Sequence, residues 1–148
     1  MSGSVFLPAA LAAAWLVSVT PCDAQATKGS VLDASAENSR LTWDGASLTL
    51  PAALTGSEAW QGTLSSSPSP RVGTREPVVI LMHGSSGNAP FIKEYQRWLA
   101  QDLGLASIAP DSLAIPDRLT YTSPIDKPTY ERVHALRLAE LENALTRA

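Results

Sequence analysis

Cysteine and histidine are scarce in this chain, and their scarcity excludes several kinds of site. Cys22 is the only cysteine of the 148 residues, and His83 and His134 are the only histidines. A disulfide framework and a His-rich metal site therefore lack the residues they need. If the chain is cleaved after Ala26, no cysteine is left to act as a nucleophile or to bind a metal. We predict that the protein uses no metal and no cofactor.

Clusters of positive charge are also absent. The 11 Lys and Arg residues are outnumbered by 14 Asp and Glu, which gives a formal net charge of -3. Without a basic cluster, nucleic acid and an anionic membrane surface are excluded as partners. The chain is 45% hydrophobic and 17% charged, which is typical of one packed globular domain rather than of a disordered chain.

A long apolar run is missing too, although a short one begins the chain. Residues 5–19 are uncharged and apolar, but a membrane-spanning helix needs about 20 such residues. Ala24-Gln25-Ala26 then matches a cleavage site, so residues 1–26 are predicted to be a signal peptide and the protein to be exported to the periplasm or extracellular space. An uncleaved anchor is the alternative, since no Lys or Arg precedes the run. Lipid modification of Cys22 is another, but Pro21 is unlike the small residue that usually precedes such cysteines.

Residues 27–70 carry the pattern of antiparallel strands. Asp44-Gly45 lies between residues 40–43 and 46–50, and Asp-Gly between alternating runs is typical of a hairpin with a type I′ turn. A third strand and a Ser/Pro loop are predicted to follow, over residues 59–64 and 65–70.

Residues 71–148 alternate between apolar strands and helices. The predicted order is strand, helix, strand, helix, over residues 78–82, 88–103, 105–109 and 127–147. Residues 78–82 form a continuous apolar run, which is typical of a strand covered on both faces. The alternation predicts an α/β fold with parallel strands and with helices on both faces of the sheet.

Capping residues delimit both predicted helices. Asn88 is predicted to cap the first helix, and Gly104 to follow its last residue. Asp126 is predicted to cap the second. The second helix also carries an apolar stripe that we expect to face the core, made of Tyr130, His134, Leu138, Leu141 and Leu145.

The loop ILMHGSSGNAP, residues 80–90, lies where α/β proteins bind ligands. It is not a phosphate-binding loop, because it lacks the Gly-x-x-x-x-Gly-Lys spacing. Gly84-Ser85-Ser86 matches half of the Gly-x-Ser-x-Gly nucleophile elbow, but Asn88 stands where the second glycine belongs.

A compact catalytic triad is a further interpretation of this region. Ser86, then Asp111 or Asp126, then His134 have the chain order of an α/β-hydrolase triad. His134, however, lies on the apolar stripe of a long helix, whereas a hydrolase base is expected on a loop.

A loop that offers backbone N–H groups to an oxyanion fits the sequence better. His-Gly-small-small-Gly after an apolar strand is the form of loop that supplies such a donor in α/β-hydrolases. Small residues let the backbone turn its N–H groups inward, and one such donor stabilises the transition state by about 3 kcal/mol.

Longer segments carry a resemblance to a family. PVVILMHGSSG, a helix, LGLASIAPDS, a loop and an Arg/Glu-rich helix together resemble the N-terminal half of a dienelactone-hydrolase-like member of the α/β-hydrolase superfamily. The resemblance covers residues 77–148 and implies hydrolysis of carboxylic esters or lactones. It implies that Ser85, the first choice, and Ser86 offer oxyanion-hole N–H groups, and that His83 braces the loop rather than acting as the base.

The segment that follows the predicted strand 105–109 contains three residues that we predict to line a substrate cleft, namely Asp111, Arg118 and Tyr121. Asp111 has an alternative interpretation as a turn or helix cap. Arg118 and Tyr121 also have an alternative interpretation, as ordinary loop residues without a role in a cleft.

No nucleophile, acid or base is identified beside this loop. In the superfamily the elbow follows the next strand after the last helix seen here, and neither Gly-x-Ser-x-Gly nor Gly-x-Cys-x-Gly occurs in the chain. We therefore expect a partial α/β-hydrolase fold, truncated before the elbow and inactive alone. The two functional hypotheses are an exported hydrolase of a small-molecule ester or lactone, completed by other sequence, and a non-catalytic exported α/β domain or remnant.

Without the strand that carries the elbow, residues 78–82 would lie at an open edge of the sheet. An exposed apolar edge is prone to pair with another chain. We therefore expect marginal stability, or self-association through this edge.

Overall fold

The order of helices and strands follows most of the predicted pattern. The structure is a computed structural model that describes residues 27–68, 76–122 and 124–148, so the predicted signal peptide and the end of the Ser/Pro loop lie outside the described residues. In chain order its elements are α1 (Ala36–Asp44), β1 (Ser47–Leu50), α2 (Ala52–Thr55), β2 (Trp60–Thr63), β3 (Val78–Ile80), α3 (Pro90–Asp102), β4 (Ala106–Ala109) and α4 (Lys127–Arg147).

The strands form one four-stranded sheet in the order β2-β1-β4-β3. β1 pairs antiparallel with both β2 and β4, whereas β3 and β4 are parallel. Strands from both predicted regions, 27–70 and 71–148, therefore share one mixed sheet. The α/β class is confirmed, with an antiparallel start followed by a parallel β-α-β unit.

The predicted hairpin is wrong in its first half, because residues 36–44 form α1. The Ser35 side chain caps this helix by accepting a backbone N–H of its first turn. Arg40 pairs with Glu37 and with Asp44, at helical spacings of three and four residues. Gly45 has a φ of -81°, so the Asp-Gly pair ends a helix and does not make the positive-φ turn of a hairpin.

β3 lies at the edge of the sheet, and it is shorter and less buried than the predicted strand over residues 78–82 that is covered on both faces. Val78 is 38% exposed, and Val79 and Ile80 are half-buried. Among the described residues, β3 pairs only with β4. The expected open apolar edge is therefore present in the described fold.

α3 forms close to its predicted bounds, but its cap differs. Ala89 is the N-cap residue, and the Asn88 side chain instead donates to the Ala109 carbonyl at 3.1 Å. Asn88 thus links the start of α3 to the end of β4. Gly104 follows the helix with a φ of +66°, as predicted for the residue after a helix end.

α4 spans the predicted residues, and Asp126 caps it by accepting the Thr129 N–H. The predicted buried stripe is wrong. Tyr130, Leu138 and Leu145 are at least half exposed. The buried face lies to one side of that stripe and consists of Val133, Leu136, Glu140 and Ala144.

Alternate residues of the sheet face different layers. Ser47 and Ser107 face α3, where the buried Gln96 amide accepts from Ser47 Oγ at 2.6 Å and donates to the Ser107 carbonyl at 3.3 Å. Leu48 and Ile108 point to the opposite face, where a small apolar cavity lies beside residues of α1 and α4. Helices therefore lie on both faces of the sheet, as predicted.

A hydrophobic cluster joins α4 to the loop after β4. Its buried members are Leu32, Ile115, Val133 and Leu136. This cluster fixes α4 close to the ends of β3 and β4, where the candidate site is found.

Candidate functional site

The loop between β3 and α3 turns sharply at its glycines. The Gly87 N–H donates to the Gly84 carbonyl at 3.3 Å. Gly87 has a φ of +78°, and a Cβ there would lie 2.4 Å from a methyl group of Leu113. This turn places Ser85 and Ser86 at the loop's tip, just beyond the C-terminal end of β3.

The His83 imidazole is fully buried and holds two segments together. Its Nδ1 lies 2.5 Å from the Gly84 carbonyl oxygen, and its Nε2 accepts the Ser112 N–H at 3.0 Å. These partners assign the neutral tautomer with the proton on Nδ1. Burial lowers the pKa of His83, which also favours the neutral ring. Its contacts are those of a bracing residue, and no serine hydroxyl of the loop reaches it.

Asp111 follows β4 and acts as a cap, which was the alternative interpretation of this residue. It is the N-cap residue of the 3₁₀ turn Ser112–Ala114, and its carboxylate accepts the Leu113 N–H at 3.0 Å. The same carboxylate lies 3.5 Å from His83 Nε2. Asp111 is not among the residues that line the cleft described below.

Arg137 of α4 connects the helix to the loop. Its guanidinium donates to the His83 carbonyl at 2.9 Å and to Ser112 Oγ at 2.8 Å, and it also pairs with Glu140. Glu140 is almost fully buried, and this burial raises the pKa of its carboxyl against the opposing effect of Arg137. The ion pair with Glu140 therefore holds the Arg137 guanidinium in position, and Arg137 in turn holds the His83 carbonyl of the loop.

These contacts orient the backbone of the loop. In a trans peptide the C=O and the next N–H point in opposite directions. The His83 carbonyl faces Arg137 and the Gly84 carbonyl faces the His83 ring, so the N–H groups of Gly84 and Ser85 point away from those partners. Within residues 27–68, 76–122 and 124–148, the N–H groups of Ser85 and Ser86 donate to no protein acceptor.

Neither loop serine is activated as a nucleophile. The Ser85 hydroxyl donates to the Tyr121 carbonyl at 2.9 Å, and Ser86 is exposed. The compact triad is not assembled, because the His134 ring packs on Tyr130 and makes no hydrogen bond to a serine in the described part of the chain. Asp126 is occupied as the cap of α4.

A cleft of about 250 Å³ opens beside the loop. Two of the three predicted cleft residues, Arg118 and Tyr121, line it together with Ser85. The complete lining is His83, Gly84, Ser85, Arg118, Tyr121, Val133, His134 and Arg137. The loop backbone and the cleft are therefore parts of one site.

Arg118 makes this cleft electropositive. It is 5% exposed, and its Nη1 donates to the Leu119 carbonyl at 2.8 Å, while its Nε has no partner among the described residues. Burial lowers the pKa of Arg118, with Glu140 acting in the opposite direction. A buried donor without an acceptor is costly, so a negatively polarised oxygen is favoured nearby.

Sequence reasoning missed Ser112, Arg137 and Glu140. The spacing of Val133, Leu136, Glu140 and Ala144 fits a helix face as well as the predicted stripe does. The available signal was Arg137 three residues before Glu140, with the glutamate on that face.

Among the described residues, no three potential ligands lie together as a metal site would require. No helix in the described ranges has the length and apolarity needed to cross a membrane. Comparisons with protein-family models, with curated proteins and with solved structures found no match.

Proposed function

We propose that this chain supplies the oxyanion-binding loop and part of the substrate cleft of an ester or lactone hydrolase of the α/β-hydrolase type. The observation that carries the proposal is the pair of backbone N–H groups at Ser85 and Ser86. They have no protein acceptor among the described residues, and Ser85 lines an electropositive cleft at the C-terminal end of a parallel strand. Ligand sites of α/β proteins lie at this end of the strands.

The chemistry follows from the geometry of the donors. Attack on an ester or lactone carbonyl moves negative charge onto the carbonyl oxygen, and fixed N–H donors stabilise that charge as it develops. The His83 and Arg137 contacts orient the Ser85 N–H before substrate arrives. Tyr121 and Arg118 then line the part of the cleft that receives the substrate.

The attacking group lies outside these residues in the proposed enzyme. The sequence has no Gly-x-Ser-x-Gly, and the Ser85 hydroxyl is engaged with a carbonyl. Nucleophile, acid and base would therefore come from further sequence, and the present 148 residues would not turn over substrate. This reaction needs no metal and no cofactor.

A non-catalytic binding domain is the second candidate function. It is favoured by the absence of any base in contact with Ser85 or Ser86 in the described residues. In this case the same N–H groups and Arg118 would hold an anionic ligand without changing it.

The oxyanion proposal is tested by binding a small tetrahedral oxyanion, methylphosphonate, and following backbone amide signals by NMR. We expect the Ser85 and Ser86 amide signals to shift in the wild type and in Ser86→Ala, which keeps the N–H. Ser86→Pro removes that N–H and should weaken binding about a hundredfold, on the scale of one oxyanion-hole donor. Unchanged binding by Ser86→Pro would exclude Ser86 as a donor.

A fluorophosphonate probe separates this proposal from the compact triad. We expect no labelling of Ser85 or Ser86, because neither loop serine contacts a base in the described residues. Labelling that disappears in Ser86→Ala would overturn the proposal in favour of a triad with His134.

Export is proposed on the sequence alone. The apolar run and Ala24-Gln25-Ala26 support cleavage after Ala26. Mass spectrometry of the protein from a periplasmic or extracellular fraction should find a chain that begins at Thr27. A chain that keeps residues 1–26 would support the uncleaved anchor.

A further inference from the structure

The outer edge of β3 presents unpaired backbone groups. Leu81 donates its N–H to Ile108 of β4 at 2.9 Å. Because backbone groups alternate in direction along a strand, Val79 and Leu81 face β4 whereas Val78 and Ile80 face outward. Among the described residues, nothing pairs with that outward side.

This edge lacks the usual protection against pairing. Residues 77–82 contain no charged side chain, and Val78 is 38% exposed. Natural edge strands are commonly protected by an inward-pointing charge, a lysine or a bulge. Pro77 gives no protection. Successive residues of a strand point their backbone groups to opposite sides, so the Pro77 nitrogen points toward β4 and the outer edge keeps its N–H groups.

We propose that β3 is the dimer interface of this chain, with two copies joined by antiparallel β3 strands around a two-fold axis at Val79. In this register Val78 of one copy lies opposite the partner's Ile80, and these outward residues exchange hydrogen bonds. Both open edges are then satisfied by one symmetric contact. This dimer and the proposed hydrolase are alternatives at the same edge, because in the hydrolase the strand that carries the nucleophile would pair with the outer side of β3.

The register also keeps the nearest charged residues of the two copies apart. Glu76 is the nearest charged residue in the sequence, and it would lie opposite the partner's Met82 rather than the partner's Glu76. The two Glu76 side chains therefore do not lie directly opposite each other, an arrangement that would be destabilising.

Apolar contacts continue across the same axis. Val78 and Ile80 share a sheet face with Ile108, as their register with β4 shows. On that face, Val78 and Ile108 border the small apolar cavity that also reaches Trp43. Pairing with a second copy would extend this apolar face and reduce the exposure of Val78.

Cysteine cross-linking tests the register directly, using the full chain with Cys22→Ala. In Val79→Cys the two introduced cysteines lie directly opposite each other across the axis, as a non-hydrogen-bonded pair. The Cα atoms of such a pair lie about 4.5 Å apart, which is within the range of a disulfide. We expect a disulfide-linked dimer under mild oxidation. Val78→Cys is the matched control, because its two thiols would be offset along the strands and should cross-link at least about tenfold less.

Sedimentation equilibrium tests the dimer without a cross-link. Val78→Pro removes an outward N–H from each copy and should raise the dimer dissociation constant about thirtyfold. Val78→Thr keeps that N–H and should dimerise within about threefold of the wild type. Circular dichroism verifies that each variant is folded.

The results that would overturn the proposal are equally specific. A monomeric wild type at all concentrations would do so. Equal cross-linking at positions 78 and 79 would also reject the register. If Val78→Pro does not fold, the yields of disulfide-linked dimer from Val79→Cys and Val78→Cys are sufficient to test the proposal.

Discussion

The contacts of His83 give this residue a structural role that depends on its protonation state. Nδ1 donates to Gly84 and Nε2 accepts from Ser112, so the folded chain requires a neutral ring. A proton on Nε2 would remove its acceptor and place a charge in a fully buried position near Arg137.

This requirement predicts a loss of stability in mild acid. The folded-state pKa of His83 is lowered by burial, so its contribution to stability is present above the unfolded pKa, about 6.5, and is lost as the pH falls below that value. Urea unfolding from about pH 8 to about pH 5 should show the decline in wild type and in His134→Gln, but not in His83→Gln. A flat wild-type profile over that range would contradict the buried neutral histidine.

Gly87 and Gly84 stand in the same loop and should respond differently to alanine. Gly87 has a φ of +78° and a new Cβ would meet Leu113, whereas a Cβ on Gly84 would have no atom within 4 Å. We expect Gly87→Ala to lower the free energy of unfolding by about 1–2 kcal/mol and Gly84→Ala by less than about 0.5 kcal/mol. Denaturant titration of both variants measures this difference, and equal losses would argue against the left-handed turn.

At the scale of elements, α4 shows which of two helix faces the fold buries. Leu136 is fully buried, whereas Leu138 is 56% exposed. Leu136→Ala should therefore cost about 2–5 kcal/mol of unfolding free energy, and Leu138→Ala less than about 0.5 kcal/mol. The opposite ranking in thermal or chemical denaturation would restore the stripe predicted from the sequence.

Capping residues predicted where α4 begins and where α3 ends, whereas the spacing of apolar residues did not predict which face of α4 is buried. Asp126 and Gly104 delimit α4 and α3 because a cap and a left-handed residue act within one turn of chain. The Asp44-Gly45 pair misled the prediction, since the ion pairs of Arg40 favour a helix before it.

The candidate site was predictable only in its local part. The serines and His83 were found from one contiguous motif. Their supports, Ser112 and Arg137, lie 29 and 54 residues away from His83. Such partners depend on how α4 packs, which the spacing of apolar residues alone left ambiguous between two faces.

At the scale of the whole molecule, pairing through β3 would couple stability to concentration. A dimer that forms only between folded chains shifts the unfolding equilibrium by mass action. We expect the thermal midpoint of the wild type to rise with protein concentration, and that of Val78→Pro to rise only at concentrations about thirtyfold higher. Scanning calorimetry at several concentrations checks this, and a constant wild-type midpoint would be evidence for a folded monomer.

The bond from Arg137 to the His83 carbonyl also sets an order of events during synthesis. His83 leaves the ribosome long before Arg137, which lies 54 residues later in the chain. Chains emerge at about 5–20 residues per second, and early segments wait for their later partners. The loop backbone therefore reaches its final orientation only after α4 has been made and has docked.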